Sequence, residues 1–124
     1  MHIAVSDNAY IHVGDGTSFN TGVHIVSKYG IEIGKHVRIG EYVTIRDQNH
    51  EFRSRDELIA NQGMYGSPIK IENDVWIGRG CFIGPGVTIG EGTVVGANSV
   101  VVKSLPPFSI AVGAPARVIR QRGA

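Results

Sequence analysis

Aliphatic residues recur every six positions through residues 71–105. Read in sixes, the stretch is IENDVW, IGRGCF, IGPGVT, IGEGTV, VGANSV and VVKSL, opened by Ile71, Ile77, Ile83, Ile89, Val95 and Val101. Four places after each opener stands a second small or apolar residue: Val75, Cys81, Val87, Thr93, Ser99 and Leu105. Gly78, Gly84, Gly90 and Gly96 follow four of the openers. This is neither the 3.6-residue period of a helix nor the simple alternation of a strand. A fixed period of six predicts a parallel β-helix in which each unit supplies a short strand and a corner. The opener points into the prism, and the glycine lets the backbone turn the corner without a Cβ clash.

The period extends toward the N-terminus. VGDGTS (13–18), FNTGVH (19–24) and IVSKYG (25–30) place Val13, Phe19, Ile25 and Ile31 in phase. The phase slips by two residues at Ile31–Ile33 and resumes with IGKHVR (33–38), IGEYVT (39–44) and Ile45. A longer turn at one corner absorbs such a slip. Residues 1–12 are weakly patterned and predict one irregular opening unit around Val5 and Ala9. From Arg46 to about Pro68 the period fails. The polar stretch RDQNHEFRSRDELIANQGMYGSP predicts one long extruded loop (about 46–68). Within it, Ser54-x-x-Glu57 has the form of a capping box, which predicts a helical turn near residues 55–60. Ordered loops of this length in compact domains are commonly functional, and this one carries Asn49 and His50. Pro106–Pro107 cannot donate ladder hydrogen bonds and are expected to end the sheet face. The short C-terminal tail FSIAVGAPARVIRQRGA holds apolar residues to fold back on the last coil, together with Arg117, Arg120 and Arg122.

Composition narrows the function classes. A chain of 124 residues fits a single domain, 1–124. The net charge of +1, with no long basic run and no basic-aromatic interleaving, argues against a nucleic-acid partner. Cys81 alone cannot form a disulfide framework, and its inward slot marks it as a small core residue. A reducing cytoplasm is the expected location. No signal peptide, long apolar run or lipidation motif is found, so membrane insertion is not expected. A solenoid this short buries little surface alone, and its open faces and ends call for a cap or a partner. His12, His24 and His36 are spaced by twelve. One full turn of a three-sided coil is about eighteen residues, so that spacing puts neighbours on different faces, and no metal site is expected.

The segments DVWIG, PGVTIG, GANSVV and VGAPARVIR lie within residues 74–122, DVWIGRGCFIGPGVTIGEGTVVGANSVVVKSLPPFSIAVGAPARVIRQR. This stretch resembles the C-terminal half of the hexapeptide-repeat acyltransferases. The likeness is to the galactoside and maltose O-acetyltransferases, the xenobiotic acetyltransferases and the polysaccharide O-acetyltransferases, and it extends back to about residue 13. The resemblance implies an all-β fold, a left-handed parallel β-helix, although the usual crossover rule favours the right hand. It also implies a homotrimer with the active site at the subunit interface, and acyl transfer from acetyl-CoA. The helical N-terminal segment and long C-terminal extension of the galactoside and maltose enzymes have no counterpart here. Those flanks shape the acceptor side in the larger members, so the resemblance does not name the acceptor.

Acyl transfer to a hydroxyl or amine needs a base for the attacking proton, donors for the developing oxyanion and a grip on CoA. Asn49-His50 matches the Asn-His pair with which the xenobiotic and polysaccharide enzymes supply a catalytic imidazole. His50 is thus the candidate base, Asn49 lies on the substrate side, and Asp47 or Glu51 is available to orient the ring. Trp76 precedes an opener and should point outward, either as a trimer contact or beside the acyl-donor groove, as in the resembling enzymes. By the same resemblance the Gly78-Arg79 backbone faces the thioester. Ala97 lies along the pantetheine arm, and Lys103, Arg117 and Arg120 contact the CoA phosphates. Asn20 matches an asparagine at the acceptor and thioester end. Because Cys81 is inward, direct attack without a covalent acyl-enzyme is expected.

The reading is an acetyl-CoA-dependent O-acetyltransferase acting on a sugar or polysaccharide precursor. An N-acetyltransferase acting on an amino sugar and a non-catalytic β-helix scaffold are the alternatives. The histidine-metal arrangement of the β-helix carbonic anhydrases is disfavoured, because their H-x4-H pair is absent.

Overall fold

The computed structural model describes residues 1–123 and is built from short strands that wind around a three-sided prism. The first coil holds β1 (His2–Val5), β2 (Ile11–Val13) and β3 (Ser18–Phe19). The second holds β4 (His24–Ser27), β5 (Ile31–Ile33) and β6 (Arg38–Ile39). β7 (Thr44–Arg46) opens the third coil, which β8 (Gln48–His50) and β9 (Met64–Gly66) interrupt before β10 (Ile69–Ile71) and β11 (Trp76–Ile77) complete it. The fourth holds β12 (Phe82–Ile83), β13 (Thr88–Ile89) and β14 (Val94–Val95). Last come β15 (Val100–Val101), β16 (Ser109–Gly113) and β17 (Ala116–Gln121). Strands of successive coils stack in parallel into three faces: β1-β4-β7-β12-β15, β2-β5-β10-β13 and β3-β6-β11-β14-β16. β17 closes the third face as an antiparallel edge. The all-β left-handed helix of hexapeptide repeats expected from the sequence is the fold of the chain.

The six-residue pattern is the core. Ile25, Ile45, Ile83 and Val101 stack on one face, Ile33, Ile71 and Ile89 on the next, and Ile39, Ile77 and Val95 on the third. None is more than 3% exposed. The second slots Val37, Val43, Val75, Cys81, Val87, Thr93 and Ser99 are buried beside them. Each coil is thus sealed by the aliphatic rungs above and below it. Ile45→Ala or Ile77→Ala should therefore cost about 2–5 kcal/mol, because the stacked backbones cannot collapse into the gap. Ile59→Ala, in the exposed loop, should stay within about 0.5 kcal/mol. Thermal unfolding of the three variants checks the contrast.

Coil length varies where the sequence slips. Ile71 pairs with Ile89 eighteen positions on, whereas Ile25 pairs with Ile45 twenty positions on. The two extra residues lie in the corner at 28–30, after which Ile31 and Ile33 both point inward. The last coil is short: Ile89 meets Leu105 and Val95 meets Ala111, each sixteen positions on. Leu105 therefore occupies an opener's place and not the second slot. Pro106–Pro107 do not end the stack. They form a corner, where no ladder N–H is needed, and β16 continues the third face beyond them.

The interruption after β7 is an antiparallel hairpin in which Gln48 faces Gly66, Asn49 faces Tyr65 and His50 faces Met64. Its helical turn is a 3-10 turn at Ile59–Asn61, further along than the expected 55–60 and with no side-chain cap. The Ser54-Glu57 capping box does not form. Ser54 Oγ accepts from the Asp56 N–H at 3.2 Å, while the Gln62 amide donates to the Ser54 and Glu57 carbonyls and takes over the local hydrogen bonding.

Candidate functional site

The three edges of the prism differ. Along the edge that follows the third face runs a groove of about 490 Å³, lined by Asn20, Trp76, Gly78, Arg79 and Ala97 together with Gly40, Glu41 and Gly96. Five residues singled out from the sequence thus come together. Trp76 is 57% exposed, because alternation along β11 turns it outward when Ile77 turns in. Its neighbours in register are Arg38 and Val94. Gly78 forms part of the floor. A Cβ there would stand 2.8 Å from the Ala97 nitrogen and 3.0 Å from its Cα, so the next coil demands bare backbone.

The Gly78 N–H is not available to an oxyanion, since it donates to the Val95 carbonyl at 2.9 Å. Gly78 therefore contributes bare backbone to the groove and no oxyanion donor. One residue further round the corner, the N–H groups of Arg79 and Ala97 make no backbone hydrogen bond among the described residues. Gly40, Glu41 and Gly96 were not among the site residues read from the sequence. Gly40 and Gly96 follow the openers Ile39 and Val95 as Gly78 follows Ile77, so the period itself marked them.

Above the groove, Arg120 faces Ile110 and Arg117 faces Val112 across the β16–β17 ladder. Residues three apart on a strand normally point to opposite sides. A register shift between Ile110 and Ala111 leaves Ile119 unpaired, and this bulge brings both guanidinium groups to the outer side. The outer row of the third face therefore reads Ser18, Arg38, Trp76, Val94, Ile110 and Arg120. Arg122 is engaged elsewhere. It donates to Asp74 Oδ2 and to the Gly92 carbonyl, both at 3.0 Å.

Asn49 and His50 lie apart from the groove. The hairpin β8–β9 leaves the prism at the edge that follows the first face, where His50 is exposed and Asn49 half-buried. Lys103, also exposed, sits on that same edge in the last coil, between β15 and Leu105. Of the two carboxylates considered for the His50 ring, Asp47 is fully engaged elsewhere and Glu51 is held locally through one oxygen. Asp47 is buried and accepts from Ser27 and from the backbone of residues 28–30. Glu51 accepts from the N–H groups of Phe52 and Arg53 at 3.1 Å and pairs with the Arg53 guanidinium at 3.5 Å.

The remaining histidines do not converge. His2 and His24 lie side by side on the first face with ring centroids 5.2 Å apart, His12 lies on the second face, and His36 turns a corner at φ 59°. Among the described residues no three His, Cys, Asp or Glu side chains are grouped to hold a metal. Cys81 is 1% exposed, and its thiol donates to the Gly96 carbonyl at 3.1 Å. Burial pushes that thiol above its ordinary pKa. A thiol reagent at neutral pH is expected to label Cys81 only as the protein unfolds, which quenched-time mass spectrometry reads directly.

Residues 68–103 match the family described as bacterial transferase hexapeptide (six repeats). The chain is 44% identical over 111 residues to a galactoside O-acetyltransferase of Escherichia coli K12, covering 90% of this chain and 54% of that protein. It thus spans about half the length of that relative. Among solved structures, a hexapeptide-repeat acetyltransferase of Vibrio cholerae, complexed with acetyl coenzyme A, superposes with a TM-score of 0.88 at 37% identity. That match covers 98% of this chain and 66% of that one. A maltose O-acetyltransferase from Clostridium difficile 630 gives 0.77 at 38% identity, covering 99% of this chain and 68% of that one. With its six-residue core, its hairpin after the first face of the third coil and these matches along nearly its whole length, the chain belongs to the hexapeptide-repeat acetyltransferase family.

Proposed function

We propose that the chain is a single acyltransferase domain that moves acetyl from acetyl-CoA to a hydroxyl of a sugar or polysaccharide precursor. The observation that carries this reading is the groove that gathers Asn20, Trp76, Gly78, Arg79 and Ala97 on one edge. It is supported by likeness to a structure complexed with acetyl coenzyme A and to relatives named for galactoside and maltose acetylation. The pantetheine arm lies over the bare corner backbone beside Trp76. Arg120 stands three strands above Trp76 on the same outer row, about 14 Å away at the usual strand spacing. That span suits the distance from an extended pantetheine arm to the CoA phosphates.

The base must come from the other edge. Within one chain the whole first face separates the His50 hairpin from the groove. In a closed ring of subunits the hairpin edge of one meets the groove edge of the next. We therefore read the assembly as a homotrimer with each site between subunits, completed by His50, Asn49 and Lys103 from the neighbour. His50 takes the proton of the acceptor hydroxyl as its oxygen attacks the thioester carbonyl. The corner N–H groups of Arg79 and Ala97 donate to the oxyanion. The tetrahedral species collapses with loss of CoA thiolate, to which the imidazolium returns its proton. Buried Cys81 takes no part, and the chemistry needs no metal. Among the described residues no helix is long and apolar enough to cross a membrane. A cytoplasmic location completes the proposal, in keeping with the free, buried thiol.

The test is CoA release from acetyl-CoA against a panel of sugars, amino sugars and hydroxylated antibiotics, with and without a chelator. Sugar-dependent release that a chelator leaves unchanged is the expected result. Release with amines alone would reassign the chain as an N-acetyltransferase, and no release with any acceptor would leave a scaffold. Light scattering at micromolar concentration should report a trimer. A monomer under those conditions would remove the shared site.

A further inference from the structure

The two departures from the six-residue period, the lengthened corner at 28–30 and the interruption after Arg46, meet at one buried carboxylate. Asp47 is 0% exposed. Its Oδ2 accepts from the Gly30 N–H at 2.7 Å, the Tyr29 N–H at 2.9 Å and the Ser27 hydroxyl at 2.9 Å, and its Oδ1 accepts from the Lys28 N–H at 2.8 Å. Three consecutive backbone N–H groups in a turn form an anion-binding concavity. The extra corner residues supply that concavity, and Asp47 fills it from the next coil. The main chain of Asp47 is held as well, since its carbonyl accepts from the Ser67 N–H at 3.1 Å. A Cβ on Gly66 would collide with that carbonyl, so the returning strand packs directly on it. Gln48, the next residue, is 6% exposed and opens β8.

An apolar side chain in this slot would seal the core but leave the outgoing strand free to rotate. A carboxylate satisfied by four directed hydrogen bonds holds one orientation, because any other leaves buried donors unpaired. We propose that Asp47 is a positioning residue. Its carboxylate, seated in the lengthened corner, fixes the direction in which β8 leaves the prism and hence where His50 points. This rests on His50 as the base.

The test pairs Asp47→Asn and the milder Ser27→Ala, which keeps the three backbone donors, with His50→Ala. In Asp47→Asn, amide exchange of Gln48–His50 and Met64–Gly66 should accelerate at least tenfold, with residues 69–101 unchanged. With methyl galactoside and maltose as acceptors, kcat should fall at least tenfold while the KM for acetyl-CoA stays within twofold. Ser27→Ala should show the same split at about two- to fivefold, and it carries the test should Asp47→Asn fail to fold. Wild-type exchange in the hairpin, or a loss shared equally by kcat and KM, overturns the proposal. Full turnover by His50→Ala would sink the base assignment instead, and hairpin exchange then decides alone whether Asp47 anchors β8.

Discussion

Replacing His50 by alanine is expected to lower kcat by about 10²–10⁴-fold, the usual loss on removing a general base, and to leave assembly and CoA affinity intact. A sugar hydroxyl is far too weak an acid to ionise before attack, so its proton must leave as the new bond forms. Histidine is the side chain best suited to take up a proton during a reaction near neutral pH. The side chain is exposed on a strand paired to Met64, so truncation removes no core packing and should spare the fold. His12→Ala, His24→Ala and His36→Ala are expected to stay within about threefold of wild type, a margin of well under 1 kcal/mol. These residues lie on two other strands and a corner, away from the groove. Steady-state kinetics on the four variants, with light scattering for assembly, checks the contrast. Loss of activity spread evenly over the four would count against His50 as the base.

Removing Arg117 and Arg120 together is expected to weaken acetyl-CoA binding about 10- to 100-fold, with kcat at saturation changed by less than about threefold. Hydrogen bonds to charged groups contribute about 1.5–3 kcal/mol each. Both side chains are exposed, so the lower end applies after solvent screening, and 1.4 kcal/mol is a factor of ten. Lys103→Ala should cost less, since an ammonium on a flexible stem offers no bidentate fork to a phosphate. Raising the salt should narrow the gap between wild type and variant. A pantetheine thioester without the nucleotide should bind both alike. Titration calorimetry with the two donors checks the assignment, which is wrong if the double variant binds CoA as wild type does.

The pattern of apolar residues was enough to determine a parallel β-helix, its buried rungs and the site of the interruption, while the hand of the coil came from the family resemblance. A solenoid repeats one local rule. An inward aliphatic stacks on the residue one coil away, and a glycine stands where the next coil leaves no space for a Cβ. Ile71 through Val101 obey that rule, and so do Ile33, Ile39 and Ile45. The outward placement of Trp76 and the inward placement of Cys81 followed from the same alternation. Residue matches named Asn20, Gly78, Arg79 and Ala97 one at a time, and the groove brings them together.

Where the period broke, only the tertiary structure could decide. The proline corner, the sixteen-residue last coil that lifts Leu105 into an opener's place and the bulge at Ile119 depend on contacts between coils. So does the role of Asp47. In sequence it is one more polar residue at the start of a loop, close enough to His50 to suggest a partner for the ring. Its carboxylate instead turns to donors 17 to 20 positions earlier in the chain. Hydrogen bonds of that kind leave no periodic trace, because they join one coil to the next at a single corner and are repeated nowhere else. The distance between His50 and the groove is hidden for a related reason. Sequence order gives the number of corners between two residues, but which edges of neighbouring prisms come together is set by how whole faces pack.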